Sequence, residues 1–214
     1  MSRKSARERG LDGPRLDPAQ GEVLSLDAYR RDFRERQWTI DGQDSWKLER
    51  QQGFREPGFA SWEAFARGDW DASLRLIEEE RDYLREFSQD VERHRITLFR
   101  VRVVEQPIAP YLQWELHLLR LRAECGEQIR VIGPEHLGEL ESSGPLPELL
   151  TLGDRTTYQI RYSDEGILDG AVRFMDPATT ARCRALSRNL YAAGEDLTSY
   201  FAREVAHLPP PSPG

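Results

Sequence analysis

Arg100 and Arg102 stand two residues apart in the run Ile96-Thr-Leu-Phe-Arg-Val-Arg-Val-Val104. Alternation places Ile96, Leu98, Arg100, Arg102 and Val104 on one face of a strand, with Thr97, Phe99, Val101 and Val103 on the other. A guanidinium is a planar fork suited to carboxylate and phosphate. A few residues later Tyr111, Trp114 and Glu115 open a helix, and helix starts on α/β sheets favour anions. Arg130, on the next predicted strand, joins them if that strand is adjacent. Arg100, Arg102, Tyr111, Glu115 and Arg130 are therefore the candidate ligand-binding residues. The competing reading is an ion pair, such as Arg102 with Glu115, that orients a helix on a sheet. Unpaired arginines on a buried face would be costly, so partners must exist either way.

Other chemistry is sparse. His94, His117, His136 and His207 have no pair at ligand spacing, and Cys125 and Cys183 form no Cys-x-x-Cys. A zinc site and a disulfide framework are thereby excluded, and no metal or cofactor is expected. The chain has no Gly-x-Ser-x-Gly elbow, no Gly-x-Gly-x-x-Gly and no Walker loop. Cys125 falls at a predicted helix C-terminus, where the dipole opposes a thiolate. Cys183 falls within a helix and reads as core. No catalytic residue is assigned.

Composition narrows the class. The 214 residues carry a formal charge of -7, which argues against binding nucleic acid through an overall basic field. Lys4 and Lys47 are the only lysines; the arginine bias runs through the whole chain, as codon bias in a GC-rich genome would produce. No stretch approaches the roughly 20 apolar residues of a membrane span. Residues 1–18 lack the apolar core of a secretory signal. These features predict a cytoplasmic domain that does not engage a membrane.

The positioning elements follow from periodicity. Residues 1–23 read as a disordered arm, locally basic and short of large apolar side chains. A single globular domain is predicted over 24–207, with 208–214 as a tail. Ser25 caps a short helix bearing Leu26, Tyr29 and Phe33. Residues 45–50 alternate as a strand, with Trp46 and Leu48 on one side and Lys47 and Glu49 on the other. Ser61 caps a short helix with Trp62 and Phe65. One long helix is predicted from about Asp71 to Arg93, with an apolar stripe and an acidic opposite face. Residues 111–125 form a helix apolar over much of its surface, which predicts burial on several sides. Strands over 96–104 and 128–132, with that helix between them, make a β-α-β unit. Strands at 148–152, 156–162 and 168–174 follow, the last two joined by a hairpin with Gly166 at a positive φ. Asp176-Pro177 starts a helix reaching about Ala193, and a last helix carries Leu197, Tyr200 and Phe201. The expected fold class is α/β (or α+β): one domain with a mixed five- to six-stranded sheet and flanking helices.

Several of these runs resemble a known family. Phe99-Arg-Val-Arg-Val-Val104, Pro107, Tyr111 and Cys125-Gly-Glu-Gln-Ile-Arg130 are similar to the central signature of the actinobacterial domain of unknown function 6879 family. Trp46-Lys-Leu-Glu49 and Met175-Asp-Pro177 are similar to its early strand and its Asp-Pro helix start. The resemblance spans about Leu24 to Phe201. It departs over 139–154, where the family's aromatic-rich Asp-x-Trp type segment is replaced by Ser143-Gly-Pro-Leu-Pro-Glu-Leu-Leu-Thr-Leu-Gly-Asp154. The resemblance implies a cytoplasmic actinobacterial protein placed near helix-turn-helix regulators, hence an accessory regulatory role.

The element order also looks somewhat like half of a phospholipase-D-type domain. That family requires His-x-Lys, and neither lysine stands two residues after a histidine. The expectation is a non-catalytic regulatory or interaction module that senses an anionic ligand. The alternatives are an enzyme acting on a phosphorylated or nucleotide substrate at the Arg100/Arg102 crevice, and a structural partner of a helix-turn-helix transcription regulator. The expected partners are a protein and a small anion, not nucleic acid.

Overall fold

The computed structural model describes residues 16–211. Its elements in chain order are β1 (Glu22–Ser25), α1 (Leu26–Arg36), β2 (Asp44–Glu49), α2 (Ala60–Ala66), α3 (Trp70–Glu79), α4 (Arg81–Arg93), β3 (Thr97–Val103), α5 (Pro110–Glu124), β4 (Gln128–Ile132), β5 (Leu149–Leu152), β6 (Thr156–Tyr162), β7 (Leu168–Phe174), α6 (Pro177–Ala193), β8 (Glu195–Asp196) and α7 (Leu197–Glu204). The eight strands form one sheet in the order β1-β7-β6-β5-β2-β3-β4-β8. β2, β3 and β4 run parallel; every other neighbouring pair is antiparallel.

The protein is thus a single mixed α/β domain, but its sheet has eight strands rather than the expected five or six. The two additional strands are the edges. β1 has four residues and β8 has two, so neither is long enough to show an apolar alternation. β1 is specified by its neighbour. A side chain at Gly170, φ +138, would come within 2.2 Å of the Leu24 carbonyl, so only glycine lets the two backbones pair there. Regular structure is therefore already present before the expected Leu24, with a 3-10 turn at Pro18–Gln20 leading into β1. Of the expected arm over residues 1–23, residues 1–15 lie outside the described residues.

The expected long helix over 71–93 is two helices. Glu80 ends α3 and precedes α4, and its amide bonds the Ile77 carbonyl at 3.1 Å in a tightened last turn. Glu78, Glu79 and Glu80 account for the break. Negative charge opposes the C-terminal end of one helix dipole and favours the N-terminal end of the next. Arg81 then pairs with both Glu78 and Glu124, tying the junction to α5.

Both faces of the sheet are covered. α6 lies on one face, where Leu48, Val101, Val103, Ile132 and Leu149 meet Cys183, Leu186 and Leu190. α1 to α5 and α7 lie on the other. There α5 is buried between the sheet, α3 and α7, as its all-round apolar surface requires. The hairpin between β6 and β7 turns at Gly166, φ +76, as its sequence implied. No helix among the described residues is long and apolar enough to cross a membrane.

Candidate functional site

Arg100 and Arg102 share the face of β3 that looks toward α1–α5. The parallel register sets Lys47 beside Arg100 and Glu49 beside Arg102. Two adjacent strands therefore present four charges to one helix layer: Lys47, Glu49 and Arg100 join a chain of ion pairs, and Arg102 pairs separately with Glu115. Lys47 Nζ lies 2.5 Å from Glu49 Oε1. Glu49 Oε2 accepts from Arg100 Nη1 at 2.7 Å. Arg100 Nε donates to Glu127 Oε1, and Arg122 Nε to Glu127 Oε2, each at 2.7 Å. Arg102 Nε donates to Glu115 Oε2 at 2.7 Å, and its Nη1 reaches the Val103 carbonyl at 3.1 Å. Tyr111 donates to Glu56 Oε1 at 3.2 Å and lies 3.4 Å from Glu115 Oε1.

Burial sets the electrostatics. Arg100 is 6% exposed and Arg102 0%, and each is held charged by carboxylates against the cost of burial. Burial alone would raise Glu127; Arg100 and Arg122 outweigh it and bring its pKa down to about 2. Glu49 is likewise held low, where Arg100, Lys47 and Arg102 overcome burial. Glu148 is the opposite case. Its Oε1 accepts from the Arg50 and Gln51 amides at 2.7 and 2.6 Å. Its Oε2 has no hydrogen-bond partner among the described residues. Burial, with the Glu49 charge nearby, pushes its pKa up to about 7. Glu56 and Glu115 are raised too, mainly by burial.

Four of the five candidate residues thus converge: Arg100, Arg102, Tyr111 and Glu115. The Arg102–Glu115 pair joins β3 to α5 across the layer interface. Arg130 does not join them. Its register partner is Val101, so its side chain leaves the opposite face of the sheet. There it donates to the Tyr191 and Gly194 carbonyls at 3.2 and 3.3 Å and covers the Tyr191 ring, anchoring the end of α6.

A cavity of about 250 Å³ lies between α1, α4 and the sheet. Tyr29, Phe33, Trp38 and Phe87 form its aromatic wall, and Leu98, Leu150 and Leu152 its floor. Lys47, Arg100, Arg122 and Glu127 line it as well. Arg100 is the one candidate residue on this lining; Arg102, Tyr111 and Glu115 are not part of it. A larger crevice of about 440 Å³ lies where β3 and β4 end, lined by Gln106, His136 and Tyr200 among others. No candidate residue lines it, and its Arg203 is tied to Glu195 and Glu204. Among the described residues no cluster of His, Cys, Asp or Glu could hold a metal ion.

Sequence reasoning missed Lys47 and Arg122. The signals were present: Lys47 is the interior lysine of a chain with two, and Arg122 ends the helix that precedes Glu127. Tyr29 and Phe33 were visible as one face of α1, with nothing to say that the face borders a cavity.

Fold and site together define a mixed α/β domain whose central strands carry a buried ion-pair chain beside an aromatic-walled cavity. The chain belongs to the family described as domain of unknown function (DUF6879), whose model matches residues 32–202. No curated protein matches the sequence.

Proposed function

We propose that this domain is a non-catalytic regulatory module that senses a small anionic ligand in the cavity between α1, α4 and the sheet. One observation carries the reading: the charged side chains on the cavity lining are three cations, Lys47, Arg100 and Arg122, and one carboxylate, Glu127. The ligand's charge meets Lys47 and Arg122, whose side chains are about one-third exposed, rather than Arg102, which is fully enclosed.

The enzymatic alternative is weaker. A general base must reach the proton that it takes. Tyr111 and Glu115 are buried against each other and Arg102, away from the cavity. Arg102, Tyr111 and Glu115 act in this reading as the frame that holds α5 on β3. The family resemblance supports a cytoplasmic, actinobacterial setting and a transcription regulator as the protein partner that reads ligand occupancy.

The test is a thermal-shift screen of wild type, Lys47→Met and Arg122→Gln against phosphate, nucleotides and small carboxylic acids. Each substitution leaves its carboxylate partner paired, because Glu49 and Glu127 both keep Arg100. A ligand that binds only the native state raises the midpoint by several degrees at saturating concentration. The expected result is an anion that stabilises wild type and neither variant to the same extent. An anion that stabilises all three proteins equally would remove the cavity from the reading.

A further inference from the structure

Resting on that reading, we infer that the ligand is a small amphipathic carboxylate, with one aromatic ring or a medium-length acyl chain as its body.

Size comes first. An apolar cavity of about 150 Å³ accommodates benzene. The cavity here, at about 250 Å³, has room for one ring with a short side chain, or an extended chain of comparable volume. The lining chemistry agrees with an apolar body. Tyr29, Phe33, Trp38 and Phe87 are only half-buried although they face inward, and the floor is leucine. An apolar ligand body would remove these rings from water, which is the driving force for binding at such a site.

Charge selects the head group. Around the cavity end stand three cations, Lys47, Arg100 and Arg122, and two carboxylates, Glu49 and Glu127, with Glu56 within electrostatic reach of Lys47, which leaves at most one positive charge. Arg102 and Glu115 neutralise each other. A single negative charge is the most that this balance accepts, and a phosphate dianion exceeds it.

Helix geometry points the same way. Phosphate is favoured at helix N-termini, where free amides and the positive dipole end converge. The helical residues near the charged end lie at the middle or the C-terminal end of their helices: Phe87 at the centre and Val91 in the last turn of α4, and Arg122 in the last turn of α5. The head-group contacts are therefore side-chain contacts. Lys47 can take a ligand carboxylate without orphaning Glu49, whose other oxygen stays on Arg100.

Isothermal titration of the full chain separates the possibilities. The probes are hexanoate, octanoate, dodecanoate, 3-phenylpropanoate, 1-octanol, octyl phosphate and inorganic phosphate. The expected result is saturable binding of octanoate and 3-phenylpropanoate, with hexanoate and dodecanoate weaker. Lys47→Met weakens octanoate at least tenfold and leaves 1-octanol unchanged. Leu98→Trp, which puts a ring into the cavity, abolishes binding of both, and its circular dichroism and thermal midpoint verify that it is folded. If inorganic or octyl phosphate binds in a Lys47-dependent way and the carboxylates do not, the anion reading stands and the carboxylate inference is overturned. If 1-octanol binds as tightly as octanoate in wild type and in Lys47→Met, the cavity is simply apolar and both fall. If no probe binds, or if Leu98→Trp binds octanoate as wild type does, the inference is likewise overturned.

Discussion

On one side of β3, Val101 and Val103 enter an apolar core beneath α6; on the other, Arg100 and Arg102 enter a chain of ion pairs beneath the α1–α5 layer. The two sides are buried to nearly the same depth, with Arg102 as inaccessible as the valines. What differs is how each keeps its burial favourable. The valine side needs only close packing. The arginine side needs a carboxylate for every guanidinium, supplied by Glu49 of β2, Glu115 of α5 and Glu127 at the start of β4. Buried ion pairs add little net stability over well-packed apolar residues. The charged side also borders the cavity, which fits the ligand role proposed above.

The sharpest way to break the comparison is to remove one charge. Glu115→Ala leaves Arg102 buried without its carboxylate and is expected to lower stability by about 3–5 kcal/mol in urea unfolding. Leu48→Ala, on the valine side, is expected to cost about 2–5 kcal/mol through the cavity it opens. The combined variant Arg102→Met/Glu115→Leu is then expected to recover to within roughly 1 kcal/mol of wild type. If it stays as damaged as Glu115→Ala, the pair has a structural role that apolar packing cannot replace.

The charged side alone should also respond to pH. The Glu148 pKa is raised from the ordinary carboxyl range to about 7, so the native state binds the extra proton between those limits. Its contribution to stability is therefore complete at low pH and is lost as pH rises through about 4.5 to 7, by roughly 2–4 kcal/mol. Glu127 runs the other way: its contribution is present at neutral pH and is lost as pH falls toward about 2. His117 opposes Glu148 within the same window. Burial between the Trp70 and Phe201 rings lowers its pKa to about 4, so its contribution is lost as pH falls below about 6.5. The quantity to measure is thus the difference between wild type and Glu148→Gln at pH 4.5 and pH 8. The variant should gain relative to wild type as pH rises, and a constant difference would refute the assignment.

Smaller effects sharpen the contrast between interior and rim. Asp69 accepts the Ala72 amide at 3.1 Å at the start of α3, and Asp69→Ala is expected to cost about 1 kcal/mol. Lys47→Met should change stability by less than about 1 kcal/mol, since its ion pair is partly solvated and Glu49 keeps Arg100. Arg85→Ala, which removes an exposed pair with Asp82, should leave the unfolding curve unchanged within error. Together these would locate the energetic weight of charge in the buried chain.

β4, β6 and β7 fall at the residues that alternation and turn chemistry predicted, 128–132, 156–162 and 168–174. Glycine and hairpin residues bound these segments, and their pattern is local. β8 was not legible, because Glu195 and Asp196 have no apolar pattern; they pair only because α6 returns the chain to the free edge of β4. The split at Glu80 was hidden for a related reason. Leu74 and Ile77 of α3 and Leu84, Phe87 and Val91 of α4 read as one continuous stripe, although acids cluster where the axis breaks.

The candidate site divides in the same way. Alternation along β3 decided that Arg100 and Arg102 share a face and that Val101 and Val103 share the other. That is a consequence of a period of two residues and needs no knowledge of the fold. That Arg130 goes with the valines was settled only by the register of β4 on β3. Which charges meet the arginines was settled only in three dimensions. Glu49 is 51 residues from Arg100 in sequence and Glu127 is 27. Residue types name the charges that need partners, but pairing depends on which strands become neighbours and in what register. The cavity belongs to the same category, because its walls come from α1, α4 and three adjacent strands whose packing no single segment encodes.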